Sequence, residues 1–122
     1  MASIILVVDD SKSSRNELRS ILSADKYDVV ECENGLNGLE AYRSLPRVDL
    51  IVVDVNMPVM GGLEMIKSIR SMGRAPVPVI VICSICSESL KSQAKDLGVT
   101  AWVVKPFDRE IFLRGVNTLI GV

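Results

Sequence analysis

The stretch Asp49-Leu50-Ile51-Val52-Val53-Asp54-Val55-Asn56-Met57-Pro58-Val59-Met60-Gly61-Gly62 decides the fold. Its apolar run, residues 50–53, holds three β-branched side chains and delivers Asp54 into a segment with loop chemistry. Such a run suits a central strand covered on both faces, and Pro58 with the Gly61-Gly62 pair stops the element and turns the chain. A carboxylate therefore stands at the carboxyl edge of a strand. Taken alone it would serve equally well as a hydrogen-bonding turn residue, so its meaning depends on what the other strands carry.

Toward the amino terminus, residues 4–8 form a second apolar run, and it ends in Asp9-Asp10-Ser11. Ser11, Ser13 and Ser14 offer helix caps, and Leu18, Ile21 and Leu22 then recur at helical spacing. After a polar turn at 25–28, residues 29–32 are shorter and more mixed, as expected of an edge strand. Asn34-Gly35 turns the chain into a second helix whose apolar stripe is Leu36, Leu39, Ala41, Tyr42 and Leu45, ended by Pro46. Beyond the opening stretch, Leu63, Ile66 and Ile69 mark a third helix. Residues 79–82 are a fourth β-branched run closing with Cys83-Ser84, followed by a helix on Leu90, Ala94 and Leu97 that Gly98 caps. Residues 101–104 form the fifth strand and lead into Lys105-Pro106-Phe107, after which Asp108 caps a final helix.

Strands and helices thus alternate five times with short connections, which predicts an α/β fold, a doubly wound parallel sheet covered by helices, in one domain, 1–122. Composition narrows the function. Lys plus Arg number 14 and Asp plus Glu 15, a net charge of -1 that leaves no basic footprint for nucleic acid or a membrane surface. No apolar stretch approaches the roughly 18 residues that span a bilayer, and no leader is evident, so a cytoplasmic protein is expected. Three cysteines, Cys32, Cys83 and Cys86, are too few for a disulfide framework and agree with a reducing compartment.

In open parallel sheets, ligands bind beyond the carboxyl ends of the strands. Those ends carry Asp9-Asp10, Asp54, Cys83-Ser84 and Lys105. Three carboxylates in one pocket repel one another unless a cation lies between them, and oxygen donors without any His favour Mg²⁺. Charges of about -3, +2 for the ion and +1 for Lys105 sum to roughly zero, so a phosphoryl group of about -2 would upset the balance.

At this point the sequence resembles the receiver domains of two-component response regulators, of the CheY-like single-domain kind. The carriers are Asp9-Asp10, Asp54 with Asn56-Met57-Pro58 and Gly62, and Lys105-Pro106-Phe107, and the resemblance spans essentially the whole chain. It implies the flavodoxin-like (βα)5 arrangement with strand order 2-1-3-4-5. It makes Asp54 the phosphoacceptor for a sensor histidine kinase or phosphotransfer protein. Asp10, Asp54 and the backbone carbonyl of Asn56 would hold Mg²⁺, with Asp9 acting through a water and Lys105 meeting the phosphate. It also implies a cis Lys105-Pro106 bond, and an output protein that binds the face of helix four, strand five and helix five. The domain is a signalling module, not an enzyme in the usual sense, though it assists its own phosphoryl transfer and loss.

Two positions depart from that pattern. The family's hydroxyl at the end of strand four, which follows the phosphoryl group, falls on Cys83, or on Ser84 if the register shifts by one. A thiol is a weak donor, so weakened switching is expected, and Trp102 takes the place of the aromatic that moves with that hydroxyl. Ile85, two residues beyond Cys83, cannot orient water, which predicts slow self-dephosphorylation. Cys83 and Cys86 share a CxxC spacing, but without His or a second CxxC they read as small, semi-buried fillers. The competing reading is a pseudo-receiver that binds partners without phosphorylation. A haloacid-dehalogenase-type phosphatase would want an Asp two residues after its nucleophile, where this chain has Lys12, and a flavin binder would want a hydroxyl-rich phosphate loop. The chain ends just after its last helix, as expected of a stand-alone regulator or an excised receiver.

Overall fold

The computed structural model describes residues 2–57 and 60–121, so Pro58 and Val59 of the loop motif lie outside the described residues. Strands β1 (Ile4–Val8), β2 (Asp28–Cys32), β3 (Leu50–Asp54), β4 (Val79–Cys83) and β5 (Ala101–Val104) alternate with helices α1 (Lys12–Ala24), α2 (Gly35–Ser44), α3 (Gly62–Arg70), α4 (Glu88–Asp96) and α5 (Arg109–Ile120). The five strands are parallel in the order β2-β1-β3-β4-β5. The doubly wound fold expected from the alternation is the one formed.

Side chains alternate across each strand, and the apolar ones divide into two cores. One face packs Leu6, Val8, Ile51, Val53, Val81 and Cys83 under α2, α3 and α4; the other packs Ile5, Val7, Leu50, Val52 and Ile82 under α1 and α5. Both faces are covered, so β1, β3 and β4 read as unbroken apolar runs rather than alternating ones. Each buried aliphatic side chain contributes roughly 2 kcal/mol of transfer free energy.

Local chemistry sets the element ends. Ser11, Asn34, Ser87 and Asp108 each accept a backbone N–H three residues on, capping α1, α2, α4 and α5. Asn34-Gly35 therefore opens α2 instead of forming a free turn. Asp28, expected in the turn, belongs to β2 because its N–H donates to the Ser3 carbonyl at 2.9 Å and it pairs with Ile4. The Lys105-Pro106 peptide is cis, as the resemblance implied.

This topology places the site. The strand order reverses between β1 and β3, where Val8 lies opposite Val53, so Asp9 and Asp54 leave the sheet side by side. Helix α3 then starts hard against β3: a Cβ on Gly62 would stand 2.5 Å from the Asp54 carbonyl oxygen. No helix among the described residues is long and apolar enough to cross a membrane.

Candidate functional site

Asp9, Asp10 and Asp54 converge, each offering a carboxylate oxygen within 4.8 Å of the others. Asp9 and Asp54 are buried at 1 % and 6 % exposure, whereas Asp10 is open to solvent. Lys105 enters from the end of β5, its Nζ donating to Asp9 Oδ2 and Asp54 Oδ2 at 3.3 Å each. One ammonium thus bridges two buried carboxylates.

Each carboxylate is also held by backbone. The Ser11 N–H donates to Asp9 Oδ1 at 2.9 Å, and the Asn56 N–H donates to Asp54 Oδ1 at 2.7 Å. Both are two-residue Asx turns, which lock a carboxylate where its strand opens into a loop. Burial pushes the Asp54 carboxyl above the ordinary aspartate value, against the Asn56 N–H; the Asp9 charge adds to the rise and Lys105 opposes it. For Lys105 burial works downward, but the charges and hydrogen bonds of Asp9 and Asp54 outweigh it and raise the ammonium pKa. The pocket is short of positive charge, and its donors are all hard oxygens, the set a divalent cation such as Mg²⁺ accepts.

Residues 9, 10, 54 and 105 are therefore brought together as their positions at the strand ends suggested. Two contributors went unseen in the sequence. Ser14 Oγ accepts the third Lys105 bond at 3.1 Å, and Arg15 Nη1 donates to the Asp9 carbonyl at 2.6 Å. Both lie in the first turns of α1, and a helix opening just after Asp9-Asp10 turns that part of its surface over the strand end; the sequence pattern marks the serine only as a cap.

The end of β4 is different. Cys83 belongs to the strand and is fully buried, on the face of Val79 and Val81, with its sulfur joined to that of Cys86. The unlinked-filler reading of these cysteines is thus corrected: three residues of turn bring the two Cα atoms to 5.9 Å, within the range a disulfide spans. No hydrogen bond among the described residues joins the side chain of Cys83 or Ser84 to Asp54. The loop is held by Asn56 instead, whose Oδ1 accepts from the Ser84 and Ile85 N–H groups at 3.3 and 3.5 Å while its Nδ2 donates to the Ile85 carbonyl at 3.5 Å. The family resemblance implies only a metal-binding backbone carbonyl for Asn56; this clamp is an additional role. Trp102 is half-buried, opposite Val81 in the strand pairing and packed against the same core as Cys86, and its indole N–H is enclosed without an acceptor among the described residues.

Comparison with known proteins agrees with this geometry. The response regulator receiver domain family matches residues 5–117. The chain is 32% identical over 119 residues to the chemotaxis protein CheY1 of Helicobacter pylori, covering 96% of each. It is 32% identical over 122 residues to the chemotaxis protein CheY of Bacillus subtilis, covering 99% of this chain and 100% of that protein. The structure of the chemotaxis response regulator CheY4 of Vibrio cholerae superimposes with a TM-score of 0.89 at 32% identity, over 98% of this chain and 99% of that one. An acidic pocket at the β1/β3 switch point, a lysine bridging it from β5 and a family match over nearly the whole chain lead to one assignment: the chain belongs to the response regulator receiver domains.

Proposed function

We propose that Asp54 is a phosphoacceptor that takes a phosphoryl group from a phosphohistidine of a sensor kinase or phosphotransfer protein. The observation that carries this is the buried Asp54 carboxylate held by the Asn56 N–H and Lys105 beside Asp9 and Asp10. A carboxylate oxygen of Asp54 attacks phosphorus in line, the histidine nitrogen leaves, and an acyl phosphate results. Such transfer needs little covalent machinery; positioning and charge neutralisation carry it.

The chain's own residues divide that work. The Asx turn fixes the Asp54 carboxylate in one orientation, and Lys105, already shared between two carboxylates, meets the new phosphate oxygens. Asp10, Asp54 and the Asn56 carbonyl would hold Mg²⁺, with Asp9 acting through water. When bound, the ion would supply positive charge against the incoming phosphoryl oxygens. Ile85 is 77% exposed and apolar, so it offers no group to orient an attacking water, and slow self-dephosphorylation follows.

The output is a protein bound at the face of α4, β5 and α5. A groove of about 360 Å³ lined by Lys91, Lys95, Thr100 and Trp102 lies there. Incubation with acetyl phosphate and Mg²⁺ should retard the protein in a phosphate-affinity gel, and Asp54→Ala should abolish the shift. A protein that never shifts would sink this reading and leave the pseudo-receiver, whose best support is that Cys83 is tied to Cys86.

A further inference from the structure

The β4–α4 loop is closed by sulfur and gripped from both sides by residues of the acidic pocket. The ring from Cys83 to Cys86 encloses Ser84 and Ile85, the two residues whose backbone Asn56 clamps. Asn56 in turn donates its N–H to Asp54, and on the other flank the Cys83 carbonyl accepts from the Lys105 N–H at 2.9 Å. The Asn56 side-chain bonds are long, so they persist only while the loop keeps its shape. Cys83 is sealed in the core, whereas Cys86 is partly open to solvent. Cys32, the third cysteine, is buried at the end of β2, separated from β4 by β1 and β3, so it cannot compete for either partner. Burial also raises its thiol pKa, against the pull of Arg15, and keeps it unreactive.

We propose that Cys83 and Cys86 are a redox-modification site, a dithiol whose closure to a disulfide sets the conformation of the loop that Asn56 couples to Asp54. The oxidant is a small-molecule disulfide of the glutathione class. The accessible Cys86 thiolate attacks one of its sulfurs, forming a mixed disulfide and expelling one thiolate. The Cys83 thiolate then attacks Cys86 Sγ, the Cys83–Cys86 bond forms, and the second thiolate leaves. Two protein thiols are oxidised, one external disulfide is reduced to two thiols, and the two protons go to the departing thiolates. In the closed form the Cys83 sulfur is committed to Cys86; in the open form it is a free thiol at the end of β4. Only the phosphoryl consequence rests on the receiver reading.

The full chain equilibrated in glutathione buffers of graded ratio, then alkylated in denaturant and mapped by peptide mass, tests the chemistry. Cys83 and Cys86 should lose alkylation together, with loss of two hydrogens, while Cys32 stays alkylated throughout. Independent protection of the two, stable glutathione adducts, or alkylation of both at every ratio would overturn the proposal. The coupling is read from the Asn56 side-chain amide and the Ser84 and Ile85 backbone amides by NMR. These should differ between oxidised and reduced protein and stay at the reduced positions in Cys86→Ser under both conditions; identical spectra overturn the link to Asn56. Finally, the acyl-phosphate half-life should differ between the two forms, and equal half-lives refute regulation of the phosphoryl site. If acetyl phosphate labels neither form, the receiver reading fails, while alkylation and amide shifts still decide the redox site.

Discussion

The ends of β1, β3 and β5 and the end of β4 share one edge of the sheet but are built from opposite chemistry. At the first, three carboxylates and an ammonium crowd together, Asp9 and Asp54 each engaged by a backbone N–H and by Lys105, and Asp54 is held partly against its own preference for ionisation. At the second, Cys83, Cys86 and Trp102 belong to the apolar core, and the polar contacts among the described residues include Asn56 reaching across and the Lys105 N–H on the Cys83 carbonyl. The first region is electrostatically poised and sensitive to any change of charge. The second is tied by a covalent bond and packing, so charge reaches it only through Asn56 and Lys105.

Removal of the bridging cation should have the largest effect. In Lys105→Met, Asp9 and Asp54 keep their burial and lose their shared counter-charge, which should lower the unfolding free energy by about 2 kcal/mol without Mg²⁺. The ammonium pKa is raised in the folded protein, so its contribution is fully present at neutral pH and fades only as pH climbs through the raised value. Urea titrations with and without saturating Mg²⁺ check this: the ion should recover part of the loss, and equal losses in both would mean that the pocket does not need positive charge.

Asp54→Asn should act in the other direction and more weakly. A carboxyl whose folded-state pKa is raised opposes folding when ionised, at every pH above its ordinary range, so the neutral amide should stabilise the metal-free protein, by less than Lys105→Met costs it. The gain should disappear when Mg²⁺ is added, since the ion stabilises only the carboxylate form. A destabilised Asp54→Asn protein in metal-free buffer would show that the Asn56 N–H and Lys105 outweigh burial, and the pocket would then be relaxed instead of poised.

The two regions also differ in how far the sequence discloses them. Charged residues at strand ends declare themselves, because a carboxylate closing an apolar run has few purely structural uses, and Asp9, Asp10, Asp54 and Lys105 fall where the strand pattern puts them. Ser14 was hidden by its second plausible role as a cap, since a hydroxyl in a first helical turn serves either purpose. The Asn56 clamp was hidden for a different reason: it is a contact between loops 28 residues apart, and no periodicity encodes it. The cysteine pair was legible as a spacing but not as a bond, because pairing depends on how β4 ends and how the loop turns. The strand runs through Cys83, which puts that sulfur on the core side with Trp102 and beside the turn that returns Cys86 to it.

Trp102 offers the finest test of the contrast, and the smallest effect. Its indole N–H is enclosed without an acceptor, so the folded protein forgoes a hydrogen bond that water would supply to the unfolded chain, a cost of about 1 kcal/mol or more. Trp102→Phe removes that donor and with it the cost, but it also removes part of a ring that packs against the core under α4. The two changes oppose each other and should leave the unfolding free energy within about 0.5 kcal/mol of the wild type, measured by far-ultraviolet circular dichroism in urea. A loss well above that would mean that the N–H has a partner and that the β4 side holds a polar network of its own, so the division between a polar pocket and an apolar tether would not hold. A near-neutral substitution, set beside the loss at Lys105 and the gain at Asp54, would place the polar sensitivity of this sheet edge on the β1, β3 and β5 ends and leave β4 to transmit through its loop and its sulfur bond.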